Sequence, residues 1–404
     1  MQANTSMIDR ARVIHVLTDL VGIESINPAL VPGGSGELKI ARYVAEFLKN
    51  AGLEAEVVEA APGRFNAVGV LRGQGGGPRL MFNGHLDTVG VYGMEEPFAA
   101  RVEGSRLYGR GAQDMKGGLA AALTAVEALA QAGPLDGDVI VAAVADEEYE
   151  SAGTRAILRS GASADAAIVM EPTGLEVVTA HKGFAWAEVN TQGRAAHGSR
   201  PEEGRDAIAF MGRVLGEIER LQVKLSAAPG HPLLGHGSVH ASLISGGQEW
   251  SSYPSDCRLS LERRLLPGED AATFDRELRE TVSRLSSEDP RFRASYTLSY
   301  SALALETERD SLIARTLYDC ARRIAGSEVK FGGQSFWTDA ALLSAAGIPS
   351  VLFGPGGSGL HSPVEYVRLD DVALCAESLV ACARVFCGDA GRSKAEDAAP
   401  SAGA

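Results

Sequence analysis

Five side chains of the types used in metal-assisted hydrolysis occur at one kind of place in this chain. His85 follows the apolar run RLMFN after a single glycine, and Glu147 and Glu148 follow DVIVAAVA after Asp146. Glu171 directly follows AAIVM, and His361 lies a glycine-rich loop beyond SVLFG. Runs of this kind read as buried strands, and open α/β sheets form their sites outside the carboxyl ends of strands. The four clusters are therefore expected to converge. Two histidines with several carboxylates suit zinc, cobalt or manganese, and the lack of nearby cysteines argues against a structural zinc cage. Two ions need a carboxylate between them, and Asp114, in GRGAQDMKGG, is the natural bridge. Asp87, two residues past His85, is placed to accept the other imidazole N–H. Two such ions lower the pKa of a shared water and polarise a carbonyl, and one of the adjacent acids Glu147 and Glu148 is free to serve as base. Taken singly, each residue has a duller explanation as a loop polar group, a solvated corner or a turn. The joint pattern outweighs these.

The elements that must position these residues fall into two textures. From about residue 36 to 178, short apolar runs alternate with helical patterns, the mark of a βαβ-type sheet. ELKIARYVAEFLKNAG and KGGLAAALTAVEALAQAG read as helices closed by Gly52 and Gly133. From about 180 to 300 the order is β-α-β-β-α-β, that of a ferredoxin-like unit. The first texture returns after about 305 and closes with the helical DDVALCAESLVACARVFCG. The fold class expected is α/β, a mixed, mostly parallel sheet flanked by helices, with an inserted ferredoxin-like α+β domain. Residues 1–179 and 302–390 form the first domain, 180–301 the insert, and 391–404 a small, polar, disordered tail.

The bulk numbers narrow the class. At 404 residues two domains are the prior expectation. Lys+Arg 38 against Asp+Glu 52 leaves a net charge of −14, which disfavours nucleic acid as a partner. No stretch approaches the apolar length of a membrane span, and the N-terminus reads as an amphipathic helix, not a signal peptide. Five cysteines without metal-type spacing read as buried free thiols, which fits a reducing cytoplasm.

The motifs NGHLDTV, YGRGAQDMKGGLAA, ADEEYESAGT, MEPT, HGSRP and GPGGSGLHSPVEYV resemble, in that order, those of the di-zinc aminoacylase and carboxypeptidase family. That family includes acetylornithine deacetylase, succinyl-diaminopimelate desuccinylase, aminoacylase and glutamate carboxypeptidase. The resemblance covers about residues 8–388. It implies two divalent ions, zinc first, with cobalt or manganese as alternatives. His85 and Glu171 would hold one, Glu148 and His361 the other, and Asp114 both. Glu147 would be the base. The inserted domain would pair two subunits into a homodimer, and His197, in AAHGSRP, would reach the partner's site and stabilise the oxyanion. Arg264, in ERRLLP, matches an arginine that grips a substrate carboxylate. The loop Gly354, Pro355, Gly356, Gly357 would offer N–H groups to the same carboxylate. Two departures fall in the insert: Ser251 stands where many relatives have asparagine, and Glu262 where aspartate is usual. The metal pattern is kept, so the reaction implied is removal of an N-acyl group from an amino acid or similar small amide. A dipeptidase or glutamate-type carboxypeptidase using the same centre is the alternative. FGGQSFWTDAALLSAAGIP resembles the deacylase branch more than the aminopeptidase branch. Trp250, Phe336 and Trp337 could line an apolar pocket or be ordinary packing aromatics.

Overall fold

Four continuous apolar runs, Leu80–His85, Val139–Val144, Ala166–Val169 and Ser350–Leu352, have no polar face to turn to solvent, and the fold buries them side by side. The computed structural model describes residues 7–388; the tail expected at 391–404 lies outside them. The chain divides into two compact units. The first comprises residues up to Thr179, Thr307–Gly332 and the segment from Thr338 onward; the second is Ala180–Glu306 with Gly333–Trp337.

In the first unit the four buried strands run parallel, in the order Val139–Val144, Leu80–His85, Ala166–Val169, Ser350–Leu352. Their register is tight: His85 pairs with Val144, Asn83 with Val169, and Leu352 with Val169. All four carboxyl ends thus reach one edge together. A hairpin of Glu54–Ala61 and Arg64–Leu71 extends the sheet antiparallel to Val139–Val144. Val177–His181, the strand on which the division into units falls, pairs antiparallel with Ser350–Leu352. The sheet is therefore mixed and mostly parallel at its centre, and helices Leu38–Asn50, Gly117–Ala132 and Leu369–Gly388 pack against it.

The second unit is a four-stranded antiparallel sheet in the order Ser238–Gly246, Asp256–Leu265, Gly183–Gln192, Ala294–Ala302. Helices Ala207–Ala227 and Ala271–Glu288 cover one face and share its own apolar core. The alternation of buried and exposed residues along Gly183–Gln192 and Asp256–Leu265 shows which face is covered. Of the aromatics singled out in sequence, Trp250 is fully exposed. Trp337 packs edge-on to His181 and Phe184 and donates to the Leu303 carbonyl at 3.0 Å.

All five cysteines are free and buried. Among the described residues no helix is long and apolar enough to cross a membrane.

The helix Gly117–Ala132 starts directly after the turn that carries Asp114, and a run of alanines lets it lie close to the sheet. At Gly118 a Cβ would stand 1.9 Å from the carbonyl oxygen of Met170, the residue before Glu171. Gly118→Ala is therefore expected to cost about 1–3 kcal/mol by overpacking, read from urea unfolding. A loss below about 0.5 kcal/mol would show that the helix is not pressed against this strand end.

Candidate metal centre

His85, Glu147, Glu148, Glu171 and His361 leave strand ends or the loops beyond them, and Asp114 the turn before a helix. His85 is the last residue of its strand and is buried. Its Nδ1 hydrogen-bonds the Asp87 carbonyl oxygen at 2.8 Å, which turns Nε2 toward Asp114 Oδ1 at 3.0 Å and Glu171 Oε1 at 4.0 Å. Asp114 sits in the short turn Ala112–Lys116, with its own backbone extended at φ −117° and ψ 95°. Its second oxygen, Oδ2, lies 3.4 Å from His361 Nε2, and the same nitrogen is 3.1 Å from Glu148 Oε2. One carboxylate thus faces two different histidines, one per oxygen. Two groups of donor atoms come within 4.8 Å of one another: His85, Asp114 and Glu148, and His85, Glu147 and Glu171.

The sequence-based expectation for Asp87 needs correction in its atoms. The acceptor for the His85 N–H is the Asp87 backbone carbonyl, while the nearest carboxylate oxygen is 3.8 Å away. The carboxylate is turned to other donors: the Glu147 N–H at 3.1 Å, the Glu148 N–H at 3.3 Å and the Asn27 side-chain amide at 2.7 Å. Asp87 therefore fixes the backbone of both candidate acids. Asn27 also donates to Asp146 at 3.1 Å, and Asp146 in turn accepts from Arg64 at 2.6 Å. Arg64 is also held by Glu37. None of Asn27, Arg64 or Glu37 was signalled by the sequence, because each lies far along the chain from the strand ends it supports. Asp146 and His361 adopt positive φ, 69° and 55°, which non-glycine residues take up only where the surroundings impose it.

The glycine loop is also corrected, at Gly354 and Gly356. The Gly356 N–H is already taken by Asp371 Oδ2 at 3.0 Å, and the Gly354 N–H by the Thr173 hydroxyl at 3.1 Å. Gly357 pairs with Val367 in a short antiparallel ladder. Asp371 is itself clamped by Arg368, so the Gly356 amide belongs to the fold and not to a ligand.

Electrostatics divides the acids. Burial opposes ionisation of Asp114, yet hydrogen bonds from His361 and His85 hold its carboxyl below the ordinary range. Burial, then the charge of Asp114, pushes Glu148 up to about 7. Burial drives Glu171 and Glu147 well above the usual carboxylate value, helped by Asp114 near Glu171 and by Glu171 near Glu147. His361 is raised to about 10 by its hydrogen bonds to Asp114 and Glu148. His85 is raised despite burial, by Asp114 and Glu171. Glu148 Oε1 is buried without a hydrogen-bond partner among the described residues, as is Asp339 Oδ1. An unpaired buried carboxylate oxygen costs free energy that a cation removes. This oxygen and imidazole donor set fits divalent zinc, cobalt or manganese.

The second unit carries His197 and Arg264. Ser199 donates its backbone N–H to His197 Nδ1 at 3.2 Å, and the Ser199 hydroxyl lies 2.8 Å from the same nitrogen. Nδ1 is therefore an acceptor, and the neutral ring carries its hydrogen on Nε2. Arg264 Nε donates to Glu262 at 2.7 Å, and its guanidinium lies 5.5 Å from the centre of the Phe184 ring. Glu262 also accepts from Trp186 Nε1 at 2.9 Å.

Removal of the ions has a signed consequence for stability. Glu148 titrates near 7 in the fold against roughly 4.3 unfolded. Its contribution is therefore complete below about pH 4 and lost as pH rises through 7. His361 acts in the same direction, complete below roughly 6.5 and lost as pH rises through about 10. Asp114, with a lowered value, loses its contribution only in acid. Metal binds the deprotonated ligands and so gains with pH. The Tm gap between metal-loaded and chelator-treated protein is expected to widen from pH 5 to 9 in scanning calorimetry. A constant gap would mean that these groups do not govern metal-free stability.

The family model described as "Peptidase family M20/M25/M40" matches residues 81–385. The acetylornithine deacetylase of Myxococcus xanthus is 31% identical over 390 residues, which is 92% of this chain and 97% of that protein. The N-formyl-4-amino-5-aminomethyl-2-methylpyrimidine deformylase of Halalkalibacterium halodurans is 28% identical over 378 residues, 84% of this chain and 87% of that protein. A tripeptidase from Staphylococcus aureus matches with a TM-score of 0.78 at 20% identity, over 94% of this chain and 99% of its own. At that identity the likeness is one of fold. With the family model spanning most of the chain and a deacetylase similar along almost its whole length, the chain belongs to peptidase family M20/M25/M40 and is a metal-dependent hydrolase of amide bonds.

Proposed function

We propose that this enzyme removes a small acyl group from the nitrogen of an amino acid, using two divalent ions, zinc in the first instance. The observation that carries the two-ion reading is Asp114, which presents Oδ1 to His85 and Oδ2 to His361. His85 and Glu171 would hold one ion, Glu148 and His361 the other, and Asp114 both. When bound, the ions would polarise the substrate carbonyl and lower the pKa of the attacking water.

The chain's own groups do the rest. Glu147 makes no ion pair with either histidine, whereas Glu148 lies against His361. Without an imidazole partner of its own, Glu147 is the acid proposed to take the proton of the attacking water and return it to the leaving nitrogen. Asp87 keeps both acids in place through their backbone N–H groups. His197, with its hydrogen on Nε2, donates to the oxygen of the tetrahedral intermediate. Arg264, its Nε held by Glu262, is the residue proposed to grip the substrate carboxylate with its remaining nitrogens. The residues 180–301 are read as a lid that also pairs two subunits. The free edge strand Ser238–Gly246, with Leu243 72% exposed and Ile244 beside it, supports that reading. Five buried free thiols fit a reducing, cytoplasmic setting.

The deacylase reading is favoured over peptide cleavage because the relative at 31% identity is a deacetylase. A panel of N-acetyl-, N-succinyl-, N-formyl- and N-carbamoyl-amino acids with zinc, cobalt and manganese tests it. Faster turnover of dipeptides than of every acyl-amino acid would overturn it. Glu147→Gln is expected to lower kcat by about 10²–10⁴-fold while two ions remain bound by metal analysis; near-normal turnover would remove it as base. His197→Ala should reduce kcat about 10²–10³-fold with metal content intact. Mixed with Glu147→Gln, it should recover activity in demonstrated mixed dimers if the histidine serves the partner's site.

A further inference from the structure

Glu365 lies four residues beyond His361 on the same loop, and no step of the reaction described above uses it. It is buried, and its carboxylate accepts four hydrogen bonds from one short segment. Arg110 Nη1 at 2.6 Å and the Gly111 N–H at 3.1 Å reach Oε2. The Gln113 N–H at 2.9 Å and the N–H of Asp114 itself at 3.1 Å reach Oε1. Arg110 also donates to the Ser362 carbonyl at 2.9 Å, and the Gly109 N–H to the Glu365 carbonyl at 3.2 Å. Every one of these bonds joins the loop that carries His361 to the segment that carries Asp114.

A buried carboxylate persists only when donors replace its water, and these charge-assisted bonds do so at both oxygens. Beyond the antiparallel pairing of Arg106–Tyr108 with Tyr366–Arg368, both clamped segments are rich in glycine. Gly109, Gly111 and Gly359 all adopt positive φ, and glycine-rich segments lose the most conformational freedom when ordered. Without the clamp that ordering would fall on metal binding and weaken it. His85 and Glu171, by contrast, are fixed by the buried parallel strands and lie outside the clamp.

We infer that Glu365 is a positioning residue of the metal centre, which holds Asp114 against His361 and so sets the affinity of the ion on the His361 side more than that of the other. This rests on the reading that Asp114 bridges two ions: both feel its displacement, but on the His361 side the loop that carries the histidine is loosened as well. Loss of a group that orients ligands typically costs 10–100-fold in metal affinity, and here the cost should fall unequally on the two ions.

The test is Glu365→Gln in the full chain, stripped of metal and titrated with Zn²⁺ by calorimetry and by competition with a chromophoric chelator. The expected result is one ion bound within about 3-fold of wild type and the other weakened about 10–100-fold. Two unchanged steps overturn the proposal, and so does an equal weakening of both, which marks general loosening. Should that variant not fold, Arg110→Lys breaks the same fork while keeping the charge, and the same unequal weakening is required of it. A wild-type protein that takes up fewer than two ions overturns the two-ion reading itself, and the proposal with it.

Discussion

Four carboxylates, those of Asp114, Glu147, Glu148 and Glu171, are brought together at one edge of a sheet, largely away from water. Like charges about 4 Å apart at an effective dielectric near 20 repel by about 4 kcal/mol per pair. The rest of the first unit can be understood as what holds them there. Two imidazoles neutralise part of the charge, and the outcome is uneven: Asp114 stays ionised between His85 and His361, while the three glutamates are pushed toward protonation. Pairs of acids whose environments separate their proton affinities are the mark of a site with distinct acid and base roles.

The repulsion is resisted by backbone, not by flexible side chains. His85 is part of a strand, Glu171 follows one within two residues, and the parallel register aligns those ends. The Glu147–Glu148 backbone is held by the Asp87 carboxylate, which is kept in place by Asn27. Behind it, Arg64 supplies a buried cation between Asp146 and Glu37. Removing one partner from such a network leaves an uncompensated charge, which is costlier than never having built the pair. Rigidity here has a chemical use, because donors already in place spare the reorganisation that would otherwise accompany reaction.

What the sequence made legible follows from the same physics. The buried strands are continuous apolar runs, so their ends, and the histidines and acids after them, could be read directly. The helices showed their period and their terminal glycines. The Glu54–Leu71 hairpin was not read as strands because Glu54–Ala61 intersperses exposed acids among half-buried positions. Asn27, Arg64 and Glu37 were invisible because their roles exist only as tertiary contacts between distant segments. The carboxylate of Asp87 was misdirected for a related reason. Two residues past His85, its carbonyl is the nearer acceptor, which leaves the side chain for the following turn. Gly356 failed as a free donor because its own C-terminal helix supplied Asp371.

Glu147 and Glu148 are the harder case, since adjacent identical residues carry no difference in type. Their backbone N–H groups share one acceptor, the Asp87 carboxylate, so the turn sends the two side chains to different neighbours. Glu148 meets His361. Glu147 meets Glu171 and His85 and acquires no imidazole hydrogen bond of its own. Burial raises Glu147 and Glu171 alike, so proton affinity does not separate a base from a ligand here. The difference between the two neighbours is the hydrogen bond from His361, which draws Glu148 back toward ionisation and leaves Glu147 as the acid proposed for the base.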